Sequence, residues 1–272
     1  MINGLTFNGK HSYHDFGLRM HSKNRPILPE PYIAVEEVPG RDDVYDYSAV
    51  NPDKREKYKP RPHDIDFGII ESDPRILRIR AHKIAAWLAC GEKQLIYDDE
   101  TAVFYLGKVV NRLDLETQVT ALKMFTVSFR TRPFAFSRVK SNEAIQYGQG
   151  LQYGYGYKYG MVPTIFTVAG NTAYSIYNPG WFVKPIIRVN GSFTNITFAA
   201  NGRSFTYHTP TVGALVEFDC ENLKAIKDGS INVLNNVTGD NRLEFANGDN
   251  LLQVSGTGLN LTLTLEFRYL YL

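Results

Sequence analysis

The chain has 272 residues, of which 43% are hydrophobic, 21% charged and 13% aromatic. This length suggests two domains of ordinary size, and the apolar fraction excludes an intrinsically disordered chain. The formal net charge of +2 is too small for a protein that holds nucleic acid electrostatically. Charge is uneven, because residues 1–140 hold 22 Lys and Arg with 19 Asp and Glu, whereas residues 141–272 hold 8 and 9. Two domains with different roles are the simplest explanation.

The beginning of the chain lacks the basic residues and apolar run of a signal peptide. No apolar stretch approaches the roughly 20 residues that cross a bilayer. We therefore expect synthesis in a cytoplasm and no contact with a membrane. The two cysteines, Cys90 and Cys220, form neither a disulfide framework nor a metal set, and we expect two reduced, mostly buried thiols.

The first predicted element is a hairpin over residues 31–48, where two β-prone runs flank Pro39-Gly40. Pro followed by Gly suits the central positions of a type II turn. Residues 51–62 are charged and interrupted by proline, which predicts an exposed loop. The segment that follows alternates Ile65, Phe67 and Ile69, as a half-buried strand does.

One helix is predicted over about residues 75–90, after the first-turn proline Pro74 and before Gly91. We expect its core-facing side to consist of apolar residues at helical spacing: Ile76, Ile79, Ile84, Trp87 and Leu88. A cationic helix for membranes or nucleic acid is the alternative, but its basic residues are few and dispersed. Strands around residues 93–110 and 121–136 complete an α+β N-terminal domain over residues 1–140.

Residues 141–160 alternate Tyr and Gly, which predicts a stiffened linker with Tyr rings packed on a neighbouring surface. From residue 161 to residue 272, short β-prone runs are separated by Asn-Gly, Asp-Gly and Gly-Thr-Gly signals. This spacing predicts an antiparallel β-sandwich without a helix of any length. The fold class is therefore mainly β, with one helix in the N-terminal domain.

The search for chemistry yields one enzyme-like pattern, the carboxylates Glu217, Asp219 and Glu221 at alternate positions of a strand. Carboxylates on one face of a strand are what glycoside hydrolysis requires. The alternative is an exposed strand face that leads into the polar turn beginning at Asn222, and we prefer it because no Trp-rich sugar cleft surrounds the segment. No nucleophile elbow, phosphate loop or dinucleotide fingerprint is present.

Two further candidates remain in the sequence. His11 and His14 lack a third ligand nearby, so we expect no metal and no cofactor. Trp181 follows a turn and could stack on a sugar ring, although a tryptophan at such a place in a sandwich more often packs between sheets.

Several segments, in serial order, resemble the siphophage distal tail (Dit) family. In residues 1–136 they are FNGKHSYHDFGL, RPILPEPYIAVEEVPGRDDVYDYS, LIYDDE, YLGKV, RPFAF and the helix pattern of Ala81, Ala85, Trp87 and Leu88. In the second half, NPGWFVKPIIRVNGS, FDCEN and GDNRLEFANGDNLLQVSG resemble the family's C-terminal sandwich. The turn signatures of the resemblance are Pro39, Gly40, Arg41, Asp219, Glu221, Asn222, Gly248, Asp249 and Asn250. The Tyr/Gly tract departs from the family pattern, because it is longer and more repetitive.

The resemblance implies a structural protein of the virion tail tip that has no catalytic residues. It implies a hexameric ring built from the N-terminal domain, with possible stacking of rings, between the tail tube protein and the tail-associated hub protein. DNA would pass through the channel as transiting cargo. The C-terminal domain would be a galectin-like sandwich that holds receptor-binding or other baseplate proteins, and the last strand, about residues 263–272, could return to the N-terminal domain. The alternatives are a carbohydrate-binding module for host cell-wall polysaccharide, centred on Trp181, and a wall-degrading enzyme that uses Glu217 and Asp219.

Overall fold

The structure is a computed structural model that describes residues 4–37, 39–40, 42–112, 122–144, 154–158 and 160–272. The chain separates into two compact units: unit 1 comprises Met1–Ala135 with Leu272, and unit 2 comprises Phe136–Tyr271. The mainly β fold class is confirmed, because strands form most of the regular structure in the described ranges of both units.

The sheet of unit 1 is antiparallel throughout the pairings β2-β1-β7-β8-β9-β6-β3. The strands of this unit are β1 (Leu5–Phe7), β2 (Lys10–His11), β3 (Arg19–Asn24), β4 (Val35–Glu37), β5 (Val44–Asp46), β6 (Arg61–Ile70), β7 (Lys93–Tyr97), β8 (Val103–Val109) and β9 (Leu122–Thr131). The predicted alternation in β6 is confirmed, since Ile65, Phe67 and Ile69 are all buried. Side chains two residues apart on a strand share a face, so β6 lines the core of unit 1 along its whole length.

A short helix that the sequence did not suggest, α1 (Ser12–Phe16), follows β2. Its N-terminal cap is His11, whose side chain accepts hydrogen bonds from the backbone nitrogens of Tyr13 and His14. Its C-terminal cap is Gly17, which has a left-handed conformation with φ of 64°. Five residues are too few to show helical periodicity, and histidine is not among the favoured capping residues, so no strong signal preceded this helix.

The predicted helix is confirmed as α2 (Pro74–Leu88), with Pro74 in its first turn and Asp73 as its N-terminal cap. The predicted core face is correct for Ile84, Trp87 and Leu88, which are buried. Trp87 also donates a 2.7 Å hydrogen bond from Nε1 to the carbonyl of Phe7, which ties the helix to β1.

The expected burial of two further helix residues is wrong. Ile76 is 46% exposed and Ile79 is 57% exposed. At 100° per residue, Ile79 lies 140° from Ile84 around the helix axis, so the two side chains point to different sides. Apolar spacing in the sequence placed them on one face, but the helix turns Ile79 away from the core of its own unit.

The predicted hairpin is present as a two-stranded antiparallel ribbon of β4 and β5. Pro39 and Gly40 lie between the strands, and Gly40 has φ of 84°, which suits glycine at the third position of a type II turn. Arg41, the third residue of this turn signature, lies outside the described residues. The predicted loop is also confirmed over residues 51–60, whereas Arg61 and Pro62 already belong to β6.

Unit 2 is an antiparallel β-sandwich, as the sequence predicted. Its strands are β10 (Ala135–Lys140), β11 (Ile165–Val168), β12 (Thr172–Asn178), β13 (Ile186–Phe193), β14 (Asn195–Ala200), β15 (Arg203–Tyr207), β16 (Thr211–Asp219), β17 (Lys224–Lys227), β18 (Ile231–Asn232), β19 (Val237–Gly239), β20 (Gly248–Thr257), β21 (Asn260–Glu266) and β22 (Arg268–Tyr271). Among its described residues, one sheet follows the order β11-β21-β13-β16-β17-β18 and the other β12-β20-β14-β15-β19. A single turn of 3₁₀ helix, Leu234–Asn236, precedes β19.

The two sheets of the sandwich share one hydrophobic core. Inward-facing residues alternate with outward-facing ones along each strand, as in β14 and β21. Aromatic rings fill the centre, where the Phe205 and Phe218 centroids lie 5.2 Å apart and the Phe198 and Phe205 centroids 5.3 Å. Phe and Tyr therefore supply the packing between the sheets, which accounts for the aromatic composition of the sequence.

Residues 154–158, the stretch of the Tyr/Gly tract whose tyrosines are described, pack on β22, the last strand of unit 2. Tyr155 lies edge-on to Tyr271 at 5.2 Å between centroids, and Tyr157 lies edge-on to Tyr269 at 5.5 Å. The Tyr271 hydroxyl donates to the carbonyl of Tyr155, and Lys158 pairs with Asp249 at 2.9 Å. The remaining residues of the tract, 145–153 and 159, lie outside the described residues. The return of the last strand to the N-terminal domain stays a prediction, and within unit 2 this strand pairs with β10.

Candidate functional site

The carboxylates that could have suggested an enzyme have structural partners. The Arg188 Nε atom lies 2.7 Å from an oxygen of Glu217, and the same guanidinium also binds Glu266. This three-residue arrangement crosses β16, β13 and β21. Arg188 is in register with Glu217 on one side, and on the other side Glu266 is its diagonal neighbour, two residues beyond the register partner Thr264. Glu217 is thus one member of a cross-strand ion pair rather than half of a carboxylate pair.

Asp219 and Glu221 lie where β16 ends and a turn begins. One oxygen of Asp219 accepts hydrogen bonds from the backbone nitrogens of Glu221 at 3.0 Å and Asn222 at 2.8 Å. Its other oxygen accepts from the Asn222 side chain at 2.7 Å. Glu221 is exposed and lies 3.7 Å from Lys184. This is an Asx-type turn, in which the carboxylate of Asp219 replaces the backbone acceptors that the turn lacks.

The second turn signature, Gly248-Asp249-Asn250, begins β20 and centres on a buried amide. Asn250 is almost fully buried, and its Oδ1 accepts from the backbone nitrogen of Ala246 at 2.8 Å and from Asn201 at 2.7 Å. Its Nδ2 lies within hydrogen-bond distance of the carbonyls of Ile176, Ala246 and Gly248. A buried amide that is satisfied on both sides fixes the local chain path, which is a structural role.

The remaining sequence candidates are also built into the fold. His11 Nδ1 accepts from the first turn of α1, so its Nε2 atom is the donor and lies 3.1 Å from Asp98. Among the described residues, no group of three His, Cys, Asp or Glu side chains could hold a metal ion. The half-buried Trp181 ring packs edge-on against Phe182 at 5.5 Å, and its backbone nitrogen donates to the carbonyl of Leu270. Sugar binding through Trp181 stays a prediction.

The two cysteines are free thiols. Cys220 is buried, and this burial raises the pKa of its thiol to about 12. A thiol with so high a pKa is not the thiolate that nucleophilic catalysis requires. Cys90 is half-buried.

One polar cluster inside unit 1 was not found from the sequence. Arg61 and His63 continue the buried face of β6, with 3% and 0% of their surfaces exposed. His63 Nδ1 lies 2.9 Å from the Tyr97 hydroxyl, and its ring lies edge-on to Tyr105 at 4.8 Å between centroids. Burial and the charges of Arg61 and Arg25 lower the pKa of His63 to about 3, so this side chain is neutral at neutral pH. The period-two alternation of β6, extended back to residue 61, was the signal that could have revealed the pair.

The largest accumulation of exposed apolar side chains lies on residues 27–50 of unit 1, which we call the arm. Among its described residues, the exposed large apolar side chains of the arm are Ile27, Leu28, Tyr32, Ile33, Val35, Val44, Tyr45, Tyr47 and Val50. The arm includes the ribbon of β4 and β5, and every residue of these two strands is exposed. Isolated two-stranded ribbons are marginally stable in water, and monomers rarely expose apolar surface on this scale. The arm is therefore a candidate protein–protein contact.

The chain is similar to proteins of phage tails. Residues 15–131 match the family model described as the phage tail protein RIFT-related domain. The structure is similar to the crystal structure of SPP1 Dit (gp 19.1), described as a paradigm of the hub adsorption apparatus in phages that infect Gram-positive hosts. The TM-score is 0.73 with 11% sequence identity, over 100% of both chains. No curated protein sequence matches. No helix in the described residues is long and apolar enough to span a membrane.

Residues 15–131 therefore carry a domain of the phage tail protein RIFT-related family, and the fold of the chain is Dit-like. The family domain lies within unit 1, and the Dit-like fold extends over both units. The resemblance to the siphophage Dit family, which rested on short motifs in the sequence, is confirmed at this level.

Proposed function

We propose that this chain is a tail-tip adaptor that forms a hexameric ring, joins the tail tube protein to the tail-associated hub protein, and has no catalytic role. The observation that carries the proposal is the exposed apolar arm on the unit that contains the tail domain. From their exposed fractions, the nine described large apolar residues of the arm present on the order of 1,000 Å² to solvent, summed over both faces of the ribbon. One partner in a standard interface buries about 800 Å², so the exposed apolar surface of the arm is of the order that an interface uses.

The remaining parts of the proposal follow from the division into two units. Unit 1 forms the ring, and its channel lets DNA pass as transiting cargo. A net charge of only +2 suits this role, because a strongly basic lining would retain the polyanion. Unit 2 offers exposed strand edges at β11 and β18, which can pair with strands of receptor-binding or other baseplate proteins. We place the protein at the virion tail tip after synthesis in the host cytoplasm.

Light scattering after size-exclusion chromatography, with negative-stain microscopy, tests ring formation. The protein alone or mixed with its tube and hub proteins should give rings, and Ile33→Asp should abolish them, because the charge enters the exposed apolar surface of the arm. Ile33 is 69% exposed, so the substitution should leave folding intact. The matched control is Val212→Asp in unit 2, where the valine is 85% exposed and lies outside the arm. A wild-type protein that stays monomeric with both partners present would overturn the proposal.

A further inference from the structure

The structure points to the surface that receives the arm, an inference that rests on the proposed ring. We propose that the β4–β5 ribbon of one copy docks on the exposed side of helix α2 of the next copy. Such a contact is heterologous, because ribbon and helix are different surfaces of the same unit. Repeated head to tail with a suitable rotation, a heterologous contact closes into a ring.

The charges of the two surfaces are opposite. Residues 35–46, which contain the ribbon and its turn, hold five Asp and Glu and one Arg, a net charge of −4. Helix α2 holds three Arg and one Lys and no acidic residue, a net charge of +4 with its histidine neutral. Within the described residues, Glu36, Glu37, Arg75, Arg78 and Lys83 form no ion pair, so these charges are available to a partner. Opposite potentials of this kind steer two copies together and disfavour self-pairing of either surface.

Both surfaces also have an apolar centre. On the helix, Arg75, Ile79 and Lys83 are spaced by four residues, so they form one row in which an exposed isoleucine lies between two cations. Ile76 lies beside this row and is also exposed.

On the ribbon, the register pairs Val35 with Asp46 and Glu37 with Val44. Directly paired residues of an antiparallel ribbon lie on the same face, and residues two apart on a strand do as well. One face of the ribbon therefore combines two exposed valines with two carboxylates, while Glu36 lies on the opposite face. An apolar centre bordered by charge is thus found on both surfaces, with opposite signs.

The dimensions of the two surfaces agree. The three-residue strands of the ribbon span about 10 Å, and the helix from Arg75 to Lys83 spans about 12 Å. The ribbon would bury its valine face on the helix, which supplies the third layer that an isolated two-stranded ribbon lacks. Ile76 and Ile79, which have no place in the core of their own copy, would be buried by the neighbour.

Charge reversal tests the pairing. Glu37→Lys with Asp46→Lys on the ribbon, or Arg75→Glu with Lys83→Glu on the helix, should each raise the concentration needed for ring formation at least tenfold. The chain with all four substitutions should recover rings, because the opposite charges are restored with the signs exchanged. The matched control compares two single substitutions with the same charge change, Glu37→Lys and Glu36→Lys, and Glu36→Lys, on the other face of β4, should shift ring formation less than threefold and less than Glu37→Lys does. Thermal unfolding of each variant verifies that the fold is retained.

Cysteine cross-linking gives a second readout in a Cys90→Ser background. A mixture of copies carrying Val44→Cys with copies carrying Ile79→Cys should form disulfide-linked dimers, and neither variant alone should do so. Rings that persist in both charge-reversed variants, or that the combined variant fails to restore, overturn the inference while the proposed ring stands. A wild-type protein that forms no rings with its tube and hub partners instead removes the proposed function itself, so the two failures are distinguishable.

Discussion

The buried histidine of unit 1 should make the stability of that unit fall as the pH is lowered through the mildly acidic range. His63 has a pKa of about 3 in the folded protein, because burial and the nearby Arg61 and Arg25 oppose its protonation, against 6.5 for an ordinary histidine. The unfolded chain therefore binds a proton between these two values that the folded chain does not bind. The contribution of neutral His63 to the free energy of unfolding is therefore fully present above pH 6.5. It is lost progressively as the pH falls toward 3.

The magnitude follows from the two pKa values. Linkage between pH 7 and pH 5 gives a loss of about 2 kcal/mol in the free energy of unfolding of unit 1 from this one group. The window lies above the range in which most carboxylates titrate, so their contribution to the change is small. His63→Gln should abolish this part of the pH dependence, because an amide can keep a hydrogen bond to the Tyr97 hydroxyl and has no charge to gain.

Urea unfolding at pH 7, 6 and 5 measures the effect, with fluorescence as the signal. In a Trp181→Phe background the remaining tryptophan is Trp87, which is buried in unit 1, so the signal reports on that unit. The control is His82→Gln, which removes an exposed histidine of α2 and should retain the wild-type pH dependence. The reasoning is refuted if His63→Gln loses as much stability between pH 7 and pH 5 as the wild type does.

Three further predictions concern unit 2. Asn250→Ala should destabilise the sandwich by about 3 kcal/mol in urea unfolding, because it leaves buried backbone groups without their amide partner; a change below about 1 kcal/mol would show that water replaces the amide. Glu217→Gln should change the free energy of unfolding by less than about 1 kcal/mol, since the pair with Arg188 is partly exposed. If the chain carries a wall-digesting activity, loss of that activity in Glu217→Gln would instead support the enzyme hypothesis. Trp181→Ala should leave unchanged the amount of the full chain that cell-wall polysaccharide retains in a pull-down assay. A loss of saturable binding in this variant would favour the carbohydrate module.

Local sequence signals predicted the elements of this fold well where one residue type determines the backbone. Pro39-Gly40 predicted the turn of the ribbon, and Pro74 predicted the beginning of α2. The alternation of Ile65, Phe67 and Ile69 predicted β6. The five-residue helix α1 was missed because its cap is His11, whose role depends on a tertiary contact with Asp98. Side-chain periodicity cannot show such a contact, since the two residues are far apart in the sequence.

The candidate sites of the sequence were harder to interpret, because their chemistry depends on neighbours in other strands. Glu217 resembled a catalytic carboxylate only while its cross-strand partner was unknown. Arg188 lies 29 residues away in the sequence and is in register with it in the sheet. Conversely, Arg61 was predicted to lie in the charged loop, and the alternation that predicted the following strand was recognised only from Ile65 onward, yet Arg61 and His63 extend the buried face of β6.

The same limitation explains why Ile76 and Ile79 were assigned to the core of their own chain. Apolar spacing indicates which side of a helix favours burial, but it does not indicate which chain covers that side. In the proposed ring the working state is an assembly, and the exposed isoleucines are the part of the apolar pattern that we assign to its interface. The isoleucines of α2 and the valines of the ribbon are both exposed apolar side chains in the single copy. The charged residues around the isoleucines are basic, and those around the valines are acidic. Residues that break the local rules of a fold, such as exposed apolar side chains, concentrate at functional surfaces. Two such surfaces with opposite charges are accounted for most simply if the ribbon of one copy covers the helix of the next.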